Sequence, residues 1–252
     1  MSRYISPVLY ILMMLIGCAA FVSISGVRVG FIEPITAFDM LRKTVYAAMV
    51  LSVLTVVALI MCRKECSAGG RRFFILVGVV SFIYSVMWVS LYMQKAKLPD
   101  IYDITTDLNN PPVFINIAYL RKASEHGLTY DFSSVPVQKE YYPEISSLIV
   151  EKSFKETYIE ALSLVKERGW EMVSQYPSAG VIEATARTPI FGMRNDVVIR
   201  ISEQKDNVVV DMRSCSRAGK SDHGNNAERI ESFLSELKDR LKKPKVNFAF
   251  RN

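Results

Sequence analysis

The chain has 252 residues, half of them hydrophobic, with 31 basic against 25 acidic side chains. That length allows about two structural units, and the charge divides unevenly between them. Residues 1–94 hold eight basic and three acidic residues, net +5, whereas residues 95–252 hold 23 and 22, net +1. The basic excess therefore flanks apolar segments, where it sets membrane orientation, and this argues against a nucleic-acid partner that would need the soluble part to carry it.

Three uncharged apolar stretches, 7–27, 44–62 and 73–93, are long enough to cross a bilayer and define a membrane anchor over 1–94. The short loop 63–72 carries Arg63, Lys64, Arg71 and Arg72 against Glu65, so the positive-inside rule puts it in the cytoplasm and the large domain outside, at a bacterial inner membrane. Leu15-Ile16-Gly17-Cys18 has the form of a lipoprotein cleavage box, but the apolar run continues past Cys18, which favours an uncleaved helix. Cys62 and Cys66 lie four apart at a helix end, too few thiols for zinc and compatible with acylation. Only Cys215 lies in the soluble part, so no disulfide framework is available there.

Residues 95–150 are rich in Asn and Pro, with Asn109-Asn110-Pro111-Pro112 and Val135-Pro136, and read as an extended lead-in with one short strand. Ser153 and Glu156 have capping-box spacing. Phe154, Tyr158, Ala161, Leu162 and Val165 then recur at helical spacing, with Gly169 as the stop. Strand-like segments follow at 171–176, 181–188, 196–203 and 207–214, linked by short turns that favour antiparallel pairing. Ile182, Ala184 and Ala186 alternate with Glu183, Thr185 and Arg187. Val208, Val210 and Met212 alternate with Asp211 and Arg213, and Arg200 extends the charged side. A last helix over 225–243 presents Ala227, Ile230, Phe233, Leu234, Leu237 and Leu241 on one stripe. The expectation is an α+β domain over 151–243, a two-layer sandwich with a roughly four-stranded antiparallel sheet and two helices. A tail at 244–252 follows.

A series of short motifs runs in order through the soluble part: Asp103-Ile104-Thr105-Thr106-Asp107, Pro111-Pro112-Val113-Phe114, Gln138, Tyr142-Pro143-Glu144-Ile145, Gly169-Trp170 and Ile182-Glu183-Ala184-Thr185. It continues through Asn195 to Arg200, Val210 to Arg217 and Gly219 to Ile230. By these motifs the chain, from Leu98 to Leu241, resembles the small envelope domains grouped as domain of unknown function 1499. The resemblance implies a secreted, lipid-anchored or membrane-tethered domain and supplies no reaction. His223 stands where leucine is usual in that family.

The densest polar run, 213–226, offers Arg213, Arg217, Lys220 and Arg229 to an anion at a helix start, with Arg187, Arg200, Asp211 and Glu183 on the charged sheet face nearby. Gly219-Lys220-Ser221 matches the end of a phosphate-binding loop, but Ser214 occupies the position of its first glycine. The competing expectation is that these arginines pair with Glu183, Asp196, Asp211 and Asp222 and stiffen a turn. The alternative is a hydrolase-type envelope enzyme using the Ser214 to His223 loop, with Cys215 or Ser221 paired to His223. Asp103, Asp107, Asn109 and Asn110 miss calcium-loop spacing, and no metal or cofactor is expected. The reading is a tethered extracytoplasmic binding or assembly module. Its partners are the lipid bilayer and an anionic small molecule, lipid headgroup or envelope protein.

Overall fold

The computed structural model describes residues 2–64, 67–95 and 97–242, with the side chains of residues 2 and 3 left aside. The expected tail and Cys66 lie outside the described residues. The chain forms two compact units, Met1–Lys97 with Pro189–Gly192, and Leu98–Thr188 with Met193–Asn252.

The first unit holds α1 (Ser2–Arg28), α2 (Pro34–Met61) and α3 (Ala68–Lys95), each long and apolar enough to span a membrane. α2 begins ten residues before its apolar run because Pro34, whose fixed φ suits the first helical turn, starts it. Leu9, Leu51, Ala58, Cys62, Phe74 and Val77 pack inside the bundle, while Leu15, Phe21 and Val53 point outward, as lipid-facing side chains do. A Cβ at Gly78 would lie 2.6 Å from the Thr55 hydroxyl, so a glycine there lets α2 and α3 approach. Cys62 is enclosed in this packing, whereas Cys18 is exposed on α1, which runs unbroken through it.

The second unit contains β1 (Asp103–Thr105), α4 (Val135–Tyr141), β2 (Leu148–Val150), α5 (Phe154–Glu167), β3 (Glu171–Tyr176), β4 (Val181–Arg187), β5 (Arg194–Gln204), β6 (Asn207–Ser216) and α6 (Asn225–Lys242). All pairings are antiparallel, in the order β1-β6-β5-β4-β3, with β2 also on β6. The sheet thus has six strands rather than four. β1 and β2 both come from the stretch read as a lead-in and lie end to end along β6, opposite Arg213–Cys215 and Val208–Val210. The Gln138 side chain closes the outer edge of β1, accepting from Thr105 N and donating to Thr105 O at 3.2 and 2.7 Å as a neighbouring strand would.

The Ser153 hydroxyl caps α5 by accepting from Glu156 N at 3.2 Å, and Gly169 takes the left-handed φ of 65° that ends the turn. α5 and α6 cover one sheet face with Tyr158, Leu164, Ile230, Phe233 and Leu237, burying Ile182, Val197, Ile199, Val210 and Met212. This is the α+β architecture the alternation implies.

Candidate functional site

The strand period of two that turns Ile182, Ile199 and Met212 toward the helices turns Glu183, Thr185, Asp196, Arg200, Asp211 and Arg213 to the opposite face. That charged face, expected to be an open contact surface, is covered. Phe114, Ile117 and Leu128 of the stretch after β1 pack with Val198 and Cys215, and Glu183, Asp196, Asp211, Arg213 and Arg217 are all at most 6% exposed.

The covering stretch is irregular, so its backbone polar groups have no ladder of their own and need partners. The sheet's side chains supply them. Glu183 accepts from Ile115 N and Asn116 N and from the Ser174 hydroxyl. Arg213 donates to Pro112 O and Leu128 O at 3.2 and 2.8 Å, holds Asp103 through two bonds of 3.0 and 2.6 Å, and lies between the Phe114 and Tyr130 rings. Arg121, from the cover itself, reaches back to Asp196 at 2.7 Å.

Asp196 is the centre of the layer. Its carboxylate accepts from Arg121, from Nε and Nη2 of Arg217 at 3.0 and 2.9 Å, and from the Thr185 hydroxyl at 2.8 Å. Arg217 also faces Glu125 at 3.7 Å. On the same face Arg200 joins Asp211 at 2.7 Å and Asp107 at 3.0 Å, and Asp211 accepts from the Thr106 and Ser147 hydroxyls. Pairing of these arginines with carboxylates was one of the two sequence expectations, but two partners differ. Asp103, outside the four acids expected, takes Arg213, and Asp107, also outside them, shares Arg200 with Asp211. Sequence reasoning passed over Asp103, Asp107, Arg121 and Gln138 as site residues, although Asp103, Asp107 and Gln138 lie within the motifs of the family likeness.

The loop before α6 is organised in the same way. The expected free amides at that helix start are filled by Asp222, which accepts from Gly224 N and Asn226 N. Burial raises the Asp222 carboxyl above its ordinary range, partly offset by those amides. Arg229 donates to Ser214 Oγ at 3.0 Å and to Asn226 Oδ1, and burial brings its guanidinium down to about 10. Lys220 is exposed, and Arg187 meets Glu171 at 3.2 Å with both side chains about half exposed. Of the named cations, then, Arg213 and Arg217 are spent on internal carboxylates, Arg200 largely so, and Arg187 and Lys220 face solvent.

The nucleophile–base pairs do not assemble. Cys215 is fully buried and burial pushes its thiol up to about 12. Ser221 Oγ donates to Pro99 O, Ser214 Oγ donates to Asn226 Oδ1, and among the described residues no hydrogen bond joins the His223 ring to either serine or to Cys215. Asp107 accepts from Asn109 N and Asn110 N, closing a turn rather than an ion site. Among the described residues no cluster of three or more His, Cys, Asp or Glu is placed to hold a metal.

No curated protein matches the chain. The family described as "Protein of unknown function (DUF1499)" matches residues 103–237, which is more than half the sequence and spans β1 through most of α6. By that match, and with the covered six-stranded sheet just described, the chain belongs to the DUF1499 family, carried here behind three apolar N-terminal helices.

Proposed function

We propose that this protein is a binding or assembly module, tethered to a bacterial inner membrane with its soluble unit on the extracytoplasmic side. The observation that carries the binding reading is the saturation of the polar layer. Its charged groups are satisfied by one another and by the cover, and among the described residues no base is hydrogen-bonded to Ser214, Ser221 or Cys215, which supports a domain that holds a shape over one that turns over a bond. Recognition of an anion, a lipid headgroup or an envelope protein then falls to the cations left at the surface, Arg187 and Lys220 first. The extracytoplasmic side rests on the basic loop between the second and third spans.

The test replaces the four native cysteines by alanine in the full-length chain, introduces Ser67→Cys or Ser178→Cys, both exposed, and treats intact cells with a membrane-impermeant maleimide. Labelling at 178 and not at 67 is expected. Labelling at 67 alone overturns the extracytoplasmic placement and redirects the ligand search to cytoplasmic anions.

A further inference from the structure

Three strands form the edges of the sheet, β1 and β2 on one side and β3 on the other. An open strand edge invites pairing with another chain, so folded domains blunt it with side-chain caps, bulges or proline. β1 is closed by Gln138, and β3 carries a bulge between Met172 and Ser174 and runs into Pro177. β2 has no such device. Among the described residues it pairs with β6 alone, it holds no charge and no proline, and Ile149 at its middle is 62% exposed.

The register shows which backbone groups that edge offers. Ser216 N donates to Tyr102 O and Thr106 N to Met212 O, both at 2.9 Å, and Met212 N donates to the Thr106 hydroxyl. The even-numbered residues of β6 therefore turn their peptide groups toward β1 and β2, and β6 pairs with β5 down to Asn207 without a break in register. In an antiparallel ladder, bonded and non-bonded pairs alternate. Leu148 and Val150 accordingly bond to Val210 and Val208, and Ile149, opposite Val209, directs its N–H and C=O away from the sheet. Thr105 holds the same position on β1, where Gln138 takes both groups. Among the described residues none takes those of Ile149.

α6 flanks this edge across a groove lined by Ser146, Leu148 and Ile149 on one side and by Glu231, Ser235 and Lys238 on the other. The neighbouring charges of α6 are answered within the unit, Glu236 by Arg168 and Arg240, and Asp239 by Lys242. Glu231 and Lys238 are exposed, and neither has an ion-pair partner among the described residues. They lie about two helical turns apart, at equal distances on either side of the Leu234–Ser235 step.

We infer that the β2–α6 edge is a self-association surface on which two copies of this chain pair about a two-fold axis. β2 lies antiparallel to the partner's β2 with Ile149 opposite the partner's Ile149, each N–H donating to the other's carbonyl, and the two sheets join into one. α6 then runs antiparallel to the partner's α6, and Glu231 of each copy meets the partner's Lys238, so that the two unanswered charges satisfy each other twice. A two-fold interface needs a surface that complements itself, and this edge does so in its backbone and in its charges. A foreign strand would use the same backbone groups, but the balance of charge about one step of α6 fits a second copy. The inference rests on the assembly reading above, names its partner, and involves the soluble unit alone.

The experiment follows the mass of the full-length protein in mild micelles by light scattering across a dilution series. A dimer is expected, weakened roughly tenfold by Glu231→Lys or by Lys238→Glu and restored when the two are combined. Ile149→Pro removes only an outward-facing donor, so it should abolish the dimer while the soluble unit still unfolds cooperatively in urea. A monomer at every concentration overturns the inference and leaves the edge to a strand of another protein. A dimer indifferent to Ile149→Pro and to both charge reversals overturns it too, and assigns association to another surface. Failure of the combined reversal to restore the dimer overturns the two-fold register. None of these outcomes depends on the side of the membrane the domain occupies, so the inference and the extracytoplasmic placement stand or fall separately.

Discussion

Removing the carboxylate at the centre of the polar layer is the perturbation whose size the structure sets most sharply. Asp196→Ala leaves Arg121 and Arg217, with side chains 5% and 7% exposed, facing each other without their shared anion. Breaking a buried pair in this way typically costs about 3–5 kcal/mol, because the partner charge stays desolvated. Here two cations lose their shared anion at once, Arg217 keeping only Glu125 at 3.7 Å, so the loss should reach about 4 kcal/mol of the roughly 5–15 kcal/mol that holds a domain together. Losing an exposed pair such as Glu171 with Arg187 should cost at most about 1 kcal/mol. Urea unfolding of the full-length protein in mild micelles measures this, with Trp88→Phe so that Trp170, stacked on Phe233, reports the soluble unit alone. With a urea slope of about 2 kcal/mol per molar, Asp196→Ala should lower the midpoint by about 2 M, and Glu171→Gln by less than about 0.5 M. An Asp196→Ala midpoint as close to the parent as that of Glu171→Gln would refute the claim that this carboxylate holds two buried cations.

Gly180 takes a φ of 68° where an added Cβ would sit 2.1 Å from Ile201 O, so Gly180→Ala should cost about 2 kcal/mol or more in the same unfolding assay. With its thiol pushed up to about 12 and no exposed surface, Cys215 holds very little thiolate at pH 8, so in a variant lacking the other cysteines it should resist a thiol reagent until urea unfolds the domain. Rapid labelling of the native state would contradict that burial. The Glu167 carboxyl, bonded by Arg240 and Ser163, is held down from 4.5 to about 2. The folded chain therefore binds fewer protons than the unfolded one between those values. The pair's contribution is present above pH 4.5 and is lost as pH falls toward 2. Glu167→Gln should flatten that part of a stability–pH curve, more visibly at low salt.

How far the sequence carried can be read from particular residues. The strict alternation in β4–β6 determines which side chains share a face, and the Ser153 cap and Gly169 stop bound α5 where the helical stripe does. Alternation is silent on whether the second face meets water or a covering chain, since both permit charge, and that is why the arginine face looked like an open surface. Only one short strand was expected where β1 and β2 lie, and neither could be placed, for a related reason. Three residues are too few to show a period, and their place along β6 is set by contacts such as Arg213 with Asp103, 110 positions apart in the chain. One signal did point there. Asp103, the Pro111-Pro112 step and Gln138 all belong to the motifs of the family likeness, and all three serve the cover: an ion pair to the sheet, a carbonyl to Arg213, and a closed strand edge.

The central claim, that the arginine-rich face is a covered interior rather than an open ligand site, is tested most directly by amide hydrogen exchange across residues 113–128 of the full-length protein. Exchange at Ile115 and Asn116, whose amides are held by buried Glu183, should be slow. Asp196→Ala, which loosens the layer beneath the cover, should speed exchange across the whole segment. Exchange at the rate of a free loop in the parent protein, unchanged by that substitution, would contradict it and return the charged face to solvent.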